Sequence, residues 1–442
     1  MSVCLFIGKS SNVHCIAPMS ARDKAIIVMA TLDTKGTEAQ FVREQIENCG
    51  FRGVLMDTGV VGRPSVSADI SREQVADSGG VSLSNLLQNP TREQAAPVMA
   101  AGATRIVTEL VSKGQAHGII SLGGTQGTTL STKVMRALPY CFPKLMVSTM
   151  ASGNVRPWVD VKDITMMFSV ADILGLNAFT RQILANAAAA VCGMAGVGTE
   201  LRSRDQHLIA VTTVGITTRG ATAAVEILEK AGYQTIVFHA NGAGGRAMEQ
   251  MMKEGIVDGV LDYATIEVSN EMHNAMLAGG AERLTTAGKM GIPQVICPGA
   301  IEVLVFGEPD SVPQRYRGRI LIRHSPQITD VRLNVSEMAE VGAEVARRLR
   351  HTQKETVFLV PNAGYDSYAT KGNGFYDPEA DAAFVSELKA AVPQSVRIIE
   401  RNTDIDDPAF AAEAANTLIS LMAGKIAKEE RDGGALLSGR VS

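Results

Sequence analysis

The residues most capable of chemistry in this chain are those of a glycine- and threonine-rich segment, Gly123-Gly124-Thr125-Gln126-Gly127-Thr128-Thr129, which follows the apolar run His117–Leu122 and opens a helical stretch through Arg136. Glycines let backbone approach an oxyanion closely and threonine hydroxyls donate, while a helix start aims free N–H groups and the positive dipole end at the same point. The segment lacks the lysine of a Walker A loop and the spacing of the dinucleotide fingerprint. A plain strand-to-helix turn is the other reading. Asp33-Thr34-Lys35-Gly36, after the run Ala25–Thr31, adds charge. Lys35 would neutralise a phosphate oxygen and Asp33 would hold magnesium, unless the two simply form a solvated turn. Ser152-Gly153-Asn154, after the run Lys144–Ser148, would line the same crevice. Lys133 and Arg136 read as surface or packing residues. Lys133→Ala is therefore expected to leave phosphate affinity intact, and Gly124→Val or Gly127→Val to block it.

The second half offers acid–base groups. His239 ends an apolar run and precedes Asn241-Gly-Ala-Gly244-Gly245-Arg246, a loop suited to anions, and Glu267 and His324 follow later strand candidates. With Thr218 and Arg219 these residues define a second expected site, for a small anionic molecule, with His239 and Glu267 as the candidates for proton transfer. Each is also compatible with a hydrogen-bonded structural role.

The elements that must position these residues repeat. Ala25–Thr31 runs into Leu32–Gly36 and a helix closed by Gly50; Leu208–Thr213 runs into Val214–Gly220 and a helix closed by Gly232; a further apolar strand follows each. Repeated βα order with short connections predicts an α/β fold of two Rossmann-like, doubly wound, mostly parallel sheet domains. In such sheets ligands sit beyond the carboxyl ends of the strands, where all these loops fall. The charged stretch Glu200–Gln206 reads as a linker, giving domains over 24–202 and 203–428. Residues 1–23 are a leader or extension, with Met19-Ser20 repeating Met1-Ser2, or an added edge strand. Residues 429–442 are a tail.

Composition excludes several classes. The chain has 442 residues, 45% hydrophobic and 20% charged, with a net charge of −4, so a packed globular protein is expected and a basic nucleic-acid surface is not. Its six cysteines form no C-x-x-C pair, which argues against a zinc site or a disulfide framework and for a cytoplasmic address. The apolar run Val3–Gly8 is too short to span a membrane.

Seven stretches, in order, carry a family resemblance: Thr31–Gly36, Leu122–Gly127, Lys144–Gly153, Asp163–Met167, Val237–Ala240 with Gly244–Met248, Ile292–Val295 with Pro298–Ala300, and Phe375–Asp381. On these the chain resembles a poorly characterised bacterial, fungal and plant ATP-binding family related to the amino-terminal domain of the tomato tobamovirus-resistance protein. The resemblance implies two Rossmann-like subdomains, ATP binding in the first half and a homodimer; magnesium would accompany the nucleotide. It supplies no reaction. An ATP-dependent enzyme on a small anionic metabolite, a non-catalytic nucleotide-regulated interaction module, and an ATP-independent lyase, isomerase or hydrolase all remain open.

Overall fold

The computed structural model describes residues 24–88, 91–197 and 206–438, so the leader, the proposed domain boundary and the last four residues lie outside the described residues. The chain divides into two compact units, Met1–Glu200 and Leu201–Ser442. Among the described residues no helix is long and apolar enough to cross a membrane.

The first unit runs β1 (Ala25–Ala30), α1 (Leu32–Asn48), β2 (Arg52–Asp57), two short helices α2 (Arg72–Ser78) and α3 (Leu83–Gln88), α4 (Arg92–Ser112), β3 (Gly118–Gly123), α5 (Thr125–Arg136), β4 (Lys144–Ser148), α6 (Arg156–Val159), β5 (Thr165–Phe168) and α7 (Ala178–Gly196). Its five strands are parallel, in the order β2-β1-β3-β4-β5. Continuous apolar runs suit strands buried on both faces. Ile26 and Val28 of β1 pack with Ala39, Val42 and Ile46 of α1 and with Leu184 and Val191 of α7, while Ile27 and Met29 meet Met99 and Val107 of α4 and Val134 of α5. Asn177 starts α7 by accepting hydrogen bonds from the Phe179 and Thr180 N–H groups at 3.0 Å. Strand order reverses between β1 and β3. That is the topological switch point where open α/β sheets bind ligands.

The second unit repeats this winding. It comprises β6 (Leu208–Thr213), α8 (Thr218–Lys230), β7 (Gln234–His239), α9 (Ala243–Lys253), β8 (Gly259–Ala264), α10 (Ile266–Met272), α11 (Thr286–Met290), β9 (Gln294–Gly299), β10 (Val303–Phe306), β11 (Leu321–Ser325), β12 (Ile328–Arg332), α12 (Val335–Leu349), β13 (Thr356–Pro361), α13 (Pro378–Ala391), β14 (Val396–Arg401) and α14 (Pro408–Ser438). Six parallel strands lie in the order β14-β13-β9-β8-β6-β7, again with the first strand between the second and the third. Helices α8 and α14 cover one face, and α9, α12 and α13 the other.

Two elements differ from the sequence expectation. The strand candidate placed before His324 is β11, which includes His324 and belongs to a separate antiparallel sheet, β10-β12-β11. Only Pro326 and Gln327 separate β11 from β12, a connection too short for a parallel crossover. Helix α14 continues to Ser438, through the first ten residues assigned to the tail.

Candidate functional site

A cavity of about 420 Å³ opens at the β1/β3 switch point of the first unit. Its floor includes Ala30, Leu122 and Ser131, and Thr31, Asp33 and Thr34 come from the loop and first turn after β1. Gln126, Gly127, Thr129, Leu130 and Lys133 form one wall along α5; Ala95, Ala96, Pro97, Met99 and Ala100 form another along α4. Residues 58–61, after β2, close the rim. The space exists because α4 turns alanines toward α5. Ala95 and Met99, and Ala96 and Ala100, stack at helical spacing.

The start of α5 is open for an anion. Gly124 occupies its N-cap position with no side-chain hydrogen bond to the first turn. Thr128 does not face this opening: it is buried, with its hydroxyl 2.7 Å from that of Ser148. Substitution tolerance at the two expected glycines follows from space. A Cβ on Gly124 would approach nothing closer than 3.7 Å, and one on Gly127 nothing closer than 3.6 Å, so both positions accept a Cβ at ordinary contact distances.

Asp33 is a carboxylate with an unmet need. Its Oδ1 is buried without a hydrogen-bond partner. Gly59 and Gly62 close over it, since a Cβ on either would come within 3.1 and 2.6 Å of the Asp33 carboxyl oxygens. Asp57 lies beside it. Its Oδ1 accepts the Leu32 N–H at 3.0 Å and the Gly59 N–H at 2.8 Å, and burial pushes its carboxyl above the usual range. An orphaned oxygen beside a second acid is chemically suited to a hard cation.

Of the residues expected to hold a nucleotide, Asp33, Thr34, Gln126 and Gly127 line this cavity. Others do not. The Lys35 ammonium donates to the Ile173 carbonyl, because the backbone leaves helical geometry at that residue (φ −129°) and turns the side chain away. Gly36 is packed under Ser65, whose Oγ lies 2.1 Å from where a Cβ would stand. Gly123 is the last residue of β3, paired with Ser148; Gly124 and Thr125 start α5 beside the lining residues. Ser152, Gly153 and Asn154 form an exposed turn after β4 and are not part of the lining, with Asn154 Oδ1 accepting the Arg156 N–H at 3.1 Å. Arg136 reaches the Pro157 carbonyl at 3.4 Å, a packing contact. Lys133, read from sequence as a surface residue, lines the cavity; its i, i+3 and i, i+4 spacing to Leu130 and Thr129 was the available signal.

The second expected site does not assemble. Glu267 is wholly buried, and its Oε1 accepts the Gly242 N–H at 2.6 Å and the Gly245 N–H at 3.0 Å. The anion that the Gly242–Arg246 loop binds is therefore Glu267 itself, which caps α9 from the start of α10. Only glycine fits at 245, where a Cβ would stand 1.9 Å from Glu267 Oε2. The same carboxylate takes Arg283 Nε at 2.6 Å, so both of its oxygens are engaged within the protein. His239 is exposed at the end of edge strand β7, and Gly244 packs on its carbonyl. His324 sits on β11, in the antiparallel sheet, 2.9 Å from the Tyr368 hydroxyl. Near Thr218 and Arg219, the Gly220 N–H on α8 donates to Asp406 at 2.9 Å, so an internal acid serves that helix start too. Arg246 donates to the Gly242 carbonyl at 3.1 Å, and Thr218 to that of Val214 at 3.0 Å.

Fold and cavity together define a two-unit α/β protein with a cavity at the switch point of its first sheet. The chain belongs to the Uncharacterised protein family (UPF0261), whose N-terminal domain matches residues 24–200 and whose C-terminal domain matches residues 206–422. It is 41% identical to a UPF0261 protein of Clostridium tetani over 402 residues, covering 90% of this chain and 99% of the relative. A UPF0261 protein of Rhizobium meliloti is 39% identical over 393 residues, 88% of this chain and 97% of the relative. The ToMV susceptible protein tm-1(GCR26) of Solanum lycopersicum is 30% identical over 404 residues, which cover 86% of this chain and 53% of the tomato protein. This chain thus spans about half of that plant relative.

Proposed function

We propose that the first unit binds a nucleotide, ATP with magnesium, in the cavity between α4 and α5. The observation that carries this reading is the conjunction at one switch point of an uncapped helix start at Gly124 with the partnerless Oδ1 of Asp33. Asp33, with Asp57 behind it, is the group that would hold the metal, and the first turn of α5 would meet phosphate. The buried, saturated Glu267 removes the observation behind an ATP-independent His239/Glu267 chemistry, which leaves nucleotide binding as the better supported activity.

ATP with magnesium is expected to raise the melting temperature, with about 2.7 kcal/mol of linkage at a hundredfold excess over Kd. Trp158, the single tryptophan, gives a second readout because its Nε1 donates to the Thr129 hydroxyl of the cavity wall at 3.1 Å. Gly127→Val, which fills the approach, should abolish both signals while its far-ultraviolet circular dichroism stays that of wild type. No shift of the wild-type melt at millimolar nucleotide would sink the assignment.

The family resemblance further supports a homodimer. Sedimentation velocity at micromolar protein should give a single species near twice the 46.8 kDa chain mass. A monomer throughout that range refutes it.

A further inference from the structure

We infer that Lys133 is the cation that selects the ligand of this cavity, and that the ligand is a nucleoside polyphosphate recognised through its phosphate chain and not its base. The inference rests on reading the cavity as a nucleotide site. Lysine 133 lines the cavity, is exposed, and its ammonium has no hydrogen-bond or ion-pair partner among the described residues. It shares one stripe of α5 with Gln126, Thr129 and Leu130. Side chains on a helix lean toward its amino end, so the Lys133 stem runs back toward the open first turn. The Lys133 backbone stands eight residues beyond Thr125, about 12 Å along the axis. The helix start and the ammonium are thus two separated attractions for negative charge on one wall. An extended di- or triphosphate engages both, whereas a single phosphate engages one.

The facing wall has the opposite character. Ala95, Ala96, Pro97, Met99 and Ala100 of α4 offer no hydrogen-bonding side chain, only apolar surface against which a flat ring can lie. A wall whose hydrogen-bonding group is one exposed hydroxyl, that of Thr91 at the start of α4, discriminates weakly between rings that differ in their polar edges, because it leaves no buried group of its own unpaired by the wrong one. Lys35, the residue that sequence spacing favoured for phosphate, is held by the Ile173 carbonyl and contributes nothing to the lining.

The test is a titration of full-length protein with magnesium salts of ATP, ADP, AMP and GTP and with adenosine, followed by Trp158 fluorescence and by melting temperature. Wild type should bind ATP and GTP within about tenfold of each other and bind AMP and adenosine more weakly in that order. Lys133→Ala should weaken ATP and ADP by about tenfold or more, Lys133→Arg should retain most of the affinity, and Lys35→Ala should bind as wild type. Position 133 is exposed, so its variants fold. If wild type binds ATP and Lys133→Ala binds it equally, Lys133 is not the selecting cation. If GTP is rejected a hundredfold, the base is being read and the apolar-wall argument fails. If wild type binds none of the nucleotides, the nucleotide reading itself fails, independently of Lys133.

Discussion

Arg283→Ala is expected to cost the second unit at least about 3–5 kcal/mol, because it strands buried carboxylates that have no other counter-charge. The side chain is fully buried. Its Nη2 meets Asp262 Oδ1 at 2.6 Å, its Nη1 meets the other oxygen of Asp262, and its Nε meets Glu267 Oε2 at 2.6 Å. Glu249 lies 3.8 Å from Nη1 and receives the Leu284 N–H at 2.7 Å. Burial opposes the guanidinium charge, but Asp262, Glu267 and Glu249 outweigh it and hold the arginine charged. Glu249 in turn is pushed above the usual carboxylate range by burial, against the pull of Arg283. One residue therefore fastens β8, α9 and α10 together. A domain is typically stable by about 5–15 kcal/mol, so the loss takes a large share of what holds the unit folded. Urea denaturation followed by far-ultraviolet circular dichroism measures it, with Trp158 reporting the first unit separately. Adding Glu267→Gln to Arg283→Ala should recover part of the loss: the amide oxygen still accepts from Gly242 and Gly245, and one uncompensated charge is gone. A midpoint for Arg283→Ala equivalent to less than about 1 kcal/mol of destabilisation would contradict this account.

The same network explains what was legible in the sequence. Both first strands and the loops after them were visible because apolar runs ending in Gly and Thr obey local rules. The Gly123–Thr129 segment does open α5, and the Thr31–Gly36 segment does open α1. Side-chain destinations were not local. Lys35 looked like a phosphate ligand, yet its direction depends on Ile173, 138 residues away. Lys133 looked superficial because the cavity it faces is made by the small residues of α4, and alanines in a helix carry no periodic signal of an empty space. Glu267 read as a strand-end acid free to do chemistry. It is instead the internal anion of the Gly242–Arg246 loop, and the loop's composition is the same whether the anion arrives from solvent or from the next helix. A second consequence concerns the two halves. The α8 and α9 starts, where the anion site was expected, are served by Asp406 and Glu267, whereas the α5 start in the first unit receives no such acid among the described residues. The repeat is one of winding, and only one copy keeps an open helix start at the switch point.

The pH dependence of stability should carry the imprint of a second acidic cluster in the second unit, and Asp366→Asn should remove a measurable share of it. Glu302 and Asp366 are both wholly buried, and neither oxygen of Glu302 nor Oδ2 of Asp366 meets an N–H or hydroxyl donor, which leaves the two carboxyls to share a proton with each other. Arg332 is the nearby cation, but it is engaged by Asp381 Oδ1 at 2.6 Å and by the Phe375 carbonyl at 2.9 Å. Burial, and then the Asp366 charge, push Glu302 well up, and burial pushes Asp366 to about 7 against the two backbone N–H groups of Tyr368 and Ala369 that favour its ionised form. Asp381 and Asp330 are each raised to about 6, also by burial first. A folded-state pKa above the unfolded 3.8 means that the folded chain keeps protons the unfolded chain has lost. The associated stability is complete below about pH 4 and is lost as pH rises through about 7. Wild type should therefore become less stable between pH 5 and pH 8. Asparagine at 366 preserves the Oδ1 acceptor for Tyr368 and Ala369, at 2.6 and 3.0 Å, and places an N–H donor beside Glu302 where a second carboxylate had been. The variant should match wild type near pH 5 and exceed it by roughly 2–4 kcal/mol at pH 8, with a residual slope left by Glu302, which burial still holds up, and by Asp381 and Asp330. Paired urea titrations at the two pH values measure this directly, and equal slopes for the two proteins, or a variant less stable than wild type at pH 8, would mean that Asp366 carries no proton into the neutral range.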